Sequence, residues 1–217
     1  MEQRTFDQCS AGELKLRFGI RHDKRNEKLR EWISHSHPIP ETDRPYVERL
    51  CDLLLDERNY WNEMELRTEF IGPFLHLANF RGEGFKPFSL RPLSAVVEGV
   101  VLSGKPDWLV ATGITEPVRP FFFIHEYKQL KVGSPDPLGQ VLAAMLAAQT
   151  QYDDGQPVYG CYVVADYWRF VLLDGKTYAL SKAYDITNTQ DMEIVWSILA
   201  ETKLRIEKRA AEIFEKK

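Results

Sequence analysis

The chain has 217 residues, 44% hydrophobic and 12% aromatic, enough for a sizeable core in one large domain or one domain with a helical appendage. A net charge of −4 argues against nucleic-acid binding through overall positive charge, while leaving local patches open. Three widely spaced cysteines, Cys9, Cys51 and Cys161, in no CxxC pair, suggest neither a disulfide framework nor a cysteine zinc site and read as reduced core thiols. With no signal-peptide pattern, and with VLAAMLAA at 141–148 as the longest plainly apolar run, a soluble, cytoplasmic protein with no membrane partner is expected.

Residues 1–58 read as helical with no strand-like run, an N-terminal extension preceding a core over 59–217. KRNEKLREWIS places Leu29, Trp32 and Ile33 at helical spacing, and RPYVERLCDLLLDE lines up Tyr46, Val47, Leu50, Leu53 and Leu54, with Asp43 as cap and Pro45 in the first turn. HSHPIPETD between them is a loop, because its two prolines cannot continue a helix. The seven basic residues between Glu13 and Arg30 read as a solvated face.

A third helix starts near Tyr60, capped by Asn59, and Gly72-Pro73 should bend or divide it. Strands follow: LSAVVEGVVL, PDWLVAT and FFFIHEYK, each bounded by Gly, Pro or Ser. PDPLGQVLAAMLAAQTQY is a helix whose small residues allow close packing on a sheet, and VYGCYVVA is a central strand buried on both faces. RFVLLDGKTYAL reads as two strands about Asp174-Gly175, and DMEIVWSILAETKLRIEKRAAEIF closes the chain as an amphipathic helix. The pattern predicts an α/β (α+β) fold on a mixed sheet, in which the meander 93–128 joins the strand at 158–165 through the crossover helix.

Within FFFIHEYK, charges interrupt an apolar strand. Glu-x-Lys by itself is uninformative, since it also occurs at Glu13, Glu201 and Glu215, and Pro-Asp occurs twice, at Pro106-Asp107 and Pro135-Asp136. Only Glu126 and Lys128 end an apolar strand, on one face of it, and only Asp107 opens a strand able to pair antiparallel with that one through GITEPVRP. Two carboxylates held together call for a cation, and few oxygen ligands suit Mg²⁺. Lys128 could then orient a water and stabilise charge developing on a phosphodiester. The alternative is a Glu126–Lys128 salt bridge at an exposed strand end, with Asp107 a turn residue.

These residues resemble the PD-(D/E)XK nuclease superfamily, of restriction-endonuclease-like fold, and look nearest to the N-terminal nuclease domains of type I restriction enzyme motor subunits. GKPDWLV carries the Pro-Asp and FFFIHEYK the Glu-x-Lys; NEMELRTEFIGPFL offers the preceding helix glutamate as Glu69, with Glu65 as substitute, and GQVLAAMLA offers Gln140 on the crossover helix. The resemblance spans about residues 60–185 and implies metal-dependent hydrolysis of nucleic acid, DNA being the expected partner, in restriction, defence or repair. It further implies that Asp107 and Glu126 hold Mg²⁺ (Mn²⁺ as substitute) with the Tyr127 carbonyl and that Lys128 positions the attacking water. Glu69 would act through the metal's water shell or a second metal, and Gln140 on substrate or site order. Members that have lost activity keep a second reading open, a non-catalytic module binding nucleic acid or a partner protein; pairing of two protomers, or association with a partner subunit, is also left open.

Elsewhere, His35-Ser36-His37 reads as surface and His125 as packed behind the site. Trp168, between Tyr167 and Arg169, reads as core. No phosphate-binding glycine motif supplies a motor.

Overall fold

A computed structural model of the protein describes residues 1–127, 136–152 and 154–215, with the backbone alone over 124–127. In chain order the elements are β1 (Glu2–Thr5), a 3₁₀ turn, α1 (Ala11–Phe18), β2 (Arg21–His22), α2 (Glu27–Ile33), α3 (Arg44–Glu57) and α4 (Glu63–Glu65). A π-helical turn (Leu66–Ile71) leads into α5 (Gly72–Ala78), then β3 (Phe85–Ser89), β4 (Leu93–Val97), β5 (Val100–Gly104), β6 (Trp108–Thr112) and β7 (Pro120–Tyr127). The rest are α6 (Pro137–Gln151), β8 (Val158–Val164), β9 (Tyr167–Asp174), β10 (Thr177–Leu180), β11 (Tyr184–Asp185) and α7 (Thr189–Glu215). Among the described residues no helix is long and apolar enough to cross a membrane.

The main sheet runs β2-β10-β9-β8-β7-β6-β3, with β11 added on β9, and a smaller sheet runs β1-β5-β4. The main sheet is mixed: β7 and β8 are parallel, joined by the connection that contains α6, while β6–β7 and β8–β9 are antiparallel. Alternation of side chains divides the core between its two faces. Val110, Phe122, Cys161, Val163 and Phe170 face residues of α2, α3, α5 and α7; Leu109, Ala111, Phe123, Tyr162 and Val171 face α1, α6 and the small sheet. A register shift between Val110 and Ala111 inserts Phe121 on the same side as Phe122, the usual effect of a bulge.

Several expectations hold. β8 is flanked on both sides and buried from Val158 to Val163, and alanines 143, 144, 147 and 148 of α6 are buried against the sheets. Trp168 is fully buried. All three cysteines are free thiols, Cys9 and Cys161 buried and Cys51 half-buried.

Others are corrected. The first 58 residues are not wholly helical: β1 joins the small sheet beside β5 and β2 joins the edge of the main sheet beside β10. Their periodicity hides these short strands because β1 (EQRT) and β2 (RH) are mostly exposed and polar. Phe6, Leu14, Phe18, Ile20 and Trp32 lie in the core, so this segment packs with the rest. LSAVVEGVVL is a hairpin, β4 and β5, turning at Glu98 (φ 47°) and Gly99 (φ 84°). That hairpin belongs to the small sheet, so only β6 and β7 of the expected meander join β8's sheet. β3 had no apolar run to announce it, since its Pro87 weakens any strand pattern, but it is an edge strand, where proline is tolerated. At the β9–β10 turn Asp174 pairs with Thr177, so Gly175 and Lys176, and not Asp174-Gly175, occupy the turn.

Candidate metal centre at the end of the main sheet

The helix before the sheet is divided where Gly72-Pro73 predicts. Asn62, rather than Asn59, caps it, with its side chain accepting from the amides of Met64 and Glu65. Pro73 has no amide hydrogen, and its ring would collide with the carbonyl four residues back, so the preceding turn widens. The amide of Gly72 donates to the Arg67 carbonyl, five residues earlier, and a Cβ on Gly72 would lie 2.9 Å from that oxygen. Arg67 therefore sits in a π turn, and its Nη2 donates to Asp107 Oδ1 at 2.8 Å.

Asp107 directly precedes β6. The Leu90 amide meets the carbonyls of Pro106 (3.2 Å) and Asp107 (3.3 Å), holding the chain there against the residue after β3. β6 pairs antiparallel with β7, as the sequence predicts, with Trp108 opposite Ile124 as the last pair. β7 then continues through Glu126 and Tyr127, paired on its other side with Val163 and Val164 of β8. The backbone of Glu126 is thus two residues past the pair that adjoins Asp107. Its side chain, the side chain of Tyr127, and Lys128 lie outside the described residues.

One turn before Arg67, Glu63 has its carboxyl pushed up from the ordinary glutamate range, by burial first and by the nearby Asp107 charge second, with Arg67 opposing. Neither Glu63 nor Arg67 was singled out from the sequence. The available signal is their opposite charges at i and i+4 in NEMELR, a spacing that puts both on one helical face.

The other expected residues lie as follows. Glu69 is in the π turn, exposed, and its side chain makes no hydrogen bond or ion pair among the described residues. Glu65 completes a capping box by accepting from the Asn62 amide at 2.5 Å. Gln140 is in the first turn of α6, half-buried, and its amide oxygen is buried without a hydrogen-bond partner among the described residues. The duplicate Pro-Asp acts elsewhere, as a helix cap. Asp136 Oδ1 accepts from Leu138 N (3.0 Å) and Oδ2 from Ala11 N (2.8 Å), which ties the starts of α6 and α1 together. Their approach is so close that a Cβ on Gly139 would lie 2.3 Å from the Cys9 carbonyl oxygen.

Asp107 has the donor chemistry a Mg²⁺ site requires, a partly buried carboxylate beside a second one, and Arg67 already offsets its charge. The orphaned Gln140 oxygen is an acceptor available to a water or donor. No protein-family model matches the chain, and no curated protein matches it in sequence.

Proposed function

We propose that this protein is a metal-dependent nuclease of restriction-endonuclease-like fold that hydrolyses phosphodiesters of DNA, in restriction, defence or repair. The observation that carries the reading is the β6–β7 hairpin, which brings Asp107 and the Glu126 backbone to the same end of two paired strands. Asp107 and Glu126, with the Tyr127 carbonyl, would hold Mg²⁺, which supplies charge stabilisation and a more acidic water.

The protein's own groups account for the rest. Lys128 positions the attacking water and stabilises negative charge on the phosphate. Arg67 offers a planar guanidinium, suited to phosphate oxygens, beside the same carboxylate. Gln140 contributes its unpartnered oxygen to ordering the site. Glu69, being exposed, is open to the substrate side or to a second ion's water shell.

One observation favours a second reading, a nucleic-acid- or protein-binding module without turnover. Arg67 satisfies Asp107 by an ion pair of 2.8 Å, which an inactive relative would retain for stability alone. Incubation with linear, circular and single-stranded DNA in Mg²⁺ or Mn²⁺ separates them. Cleavage lost in both Asp107→Ala and Lys128→Ala supports the nuclease; no cleavage, or cleavage undiminished in these variants, refutes this site.

A further inference from the structure

The loop between α2 and α3 is largely exposed, as HSHPIPETD suggests, but it is tied down on α7. The Ser197 hydroxyl of α7 donates to the His35 carbonyl (2.7 Å) and accepts from the His37 amide (2.8 Å), so one side chain fixes the backbone on both sides of Ser36. Ile39 is buried and Trp32, at the other end, donates from Nε1 to Thr202 Oγ1 at 2.9 Å. Glu201, one turn after Ser197, is 8% exposed and receives both imidazoles. His37 Nε2 is 2.9 Å from its Oε2, and His35 Nε2 is 3.5 Å from its Oε1. The two rings stack at 6.1 Å and 16°.

One ligand atom from each of His35, His37 and Glu201 lies within 4.8 Å of the other two. A tetrahedral ion with bonds of about 2.0–2.1 Å requires ligand atoms roughly 3.3 Å apart, so small side-chain rotations complete the set. From this geometry we infer that His35 Nε2, His37 Nε2 and Glu201 Oε2 form a binding site for an imidazole-preferring divalent metal, Zn²⁺ first among them. Two imidazoles and one carboxylate are a recurring three-ligand zinc set that leaves a fourth position open. Here Glu201 also borders a cavity of about 530 Å³ whose lining includes Glu31, Tyr159, Arg205 and Lys208.

Arg205 is the evident objection, because its Nη2 is 3.5 Å from His35 Nε2. Its guanidinium is nevertheless committed elsewhere: Nε donates to Glu201 Oε1 (2.8 Å), Nη2 to Glu31 (2.6 Å) and Nη1 to the Tyr159 hydroxyl (3.3 Å). Held on Oε1, it orients the carboxylate and leaves Oε2 for the metal, as a supporting partner of a ligand does. Glu31 and Glu201 share the one guanidinium of Arg205, so that cation is divided between two carboxylates.

The experiment titrates the full chain with Zn²⁺ and Co²⁺ at neutral pH by calorimetry, with Co²⁺ absorption as a second readout. With Mg²⁺ in excess to hold the proposed carboxylate site, one Zn²⁺ or Co²⁺ per chain is expected; His37→Gln and Glu201→Gln, which remove ligands, should each weaken it by more than the about 10–100-fold that losing a supporting partner of a ligand costs. Asp107→Asn should leave it unchanged, which keeps this result separate from the nuclease reading. His37→Gln removes only the ring's hydrogen bond to Glu201 and its stack on His35, so a thermal melt like that of the parent chain shows that its loss is local. Absence of stoichiometric binding, binding undiminished in both variants, binding lost in Asp107→Asn, or a thiolate-to-Co²⁺ charge-transfer band would each overturn the assignment.

Discussion

Two arginine–carboxylate pairs, Arg67–Asp107 at the end of the main sheet and Arg205–Glu201 on α7, have the same 2.8 Å separation but different company. Beside Asp107 the described neighbour is another carboxyl, Glu63, which burial and the Asp107 charge push up. Beside Glu201 stand two imidazoles, and the neighbouring Glu31 is pulled down, chiefly by its hydrogen bond from Arg205. The difference lies in reach: Arg205 bonds both carboxylates at once, whereas Glu63 obtains from Arg67 only a partial offset to its desolvation. An ion pair therefore does not define a site; oxygen neighbours suit Mg²⁺ and nitrogen neighbours suit Zn²⁺.

The sharpest way to break this contrast is Asp107→Ala. DNA cleavage should fall on the order of 10³-fold, as when a charge-stabilising group is removed, while Zn²⁺ binding persists; the two assays on one preparation would refute the separation if they fell together. Next is Arg205→Met. It strips the buried Glu201 of its cation and should cost about 2–3 kcal/mol in urea unfolding, because an uncompensated buried charge is expensive. The same change at Arg67→Met should act in the opposite sense on metal: by removing the cation that competes for Asp107, it should tighten Mg²⁺ roughly tenfold in calorimetry, about 1.4 kcal/mol. Unchanged or weaker Mg²⁺ binding would mean that Arg67 supports the carboxylate instead of competing for it.

The smallest effects lie in pH dependence. Glu63, raised in the folded protein, holds its proton more tightly than the unfolded chain, so it favours folding at low pH and loses that contribution as pH rises through its folded value. Glu31, lowered, stabilises above the ordinary glutamate value of 4.5 and loses this as pH falls through its folded value. Carboxyl titration by NMR should place Glu63 above and Glu31 below 4.5. At neutral pH Glu63→Gln should raise the melting temperature slightly and Glu31→Gln lower it. Titration of both on the same side would erase the contrast.

Legibility followed the range of the forces involved. The β6–β7 pairing was readable because WLVAT and FFFIHEY are apolar runs joined by a turn, and the split at Gly72-Pro73 because a proline's effect is local. The two Pro-Asp copies look alike in sequence, yet Asp136 caps two helices 125 residues apart in sequence and Asp107 meets a π-turn arginine. The Glu201 of another Glu-x-Lys copy, which its local sequence does not set apart from Glu13 or Glu215, is buried beneath the HSH loop.

Periodicity, proline and glycine placement, and the apolar strands by themselves determined an α/β chain with a mixed sheet, a crossover helix and a hairpin carrying Asp107 and Glu126. Those features arise from neighbours within a few residues, where side-chain period and backbone sterics act. Which charges meet was decided only by tertiary structure. Arg67 with Asp107, Ser197 and Glu201 with the HSH loop, and Asp136 with α1 join residues at separations from 40 to more than 160, and no local preference encodes which buried carboxylate will find which partner.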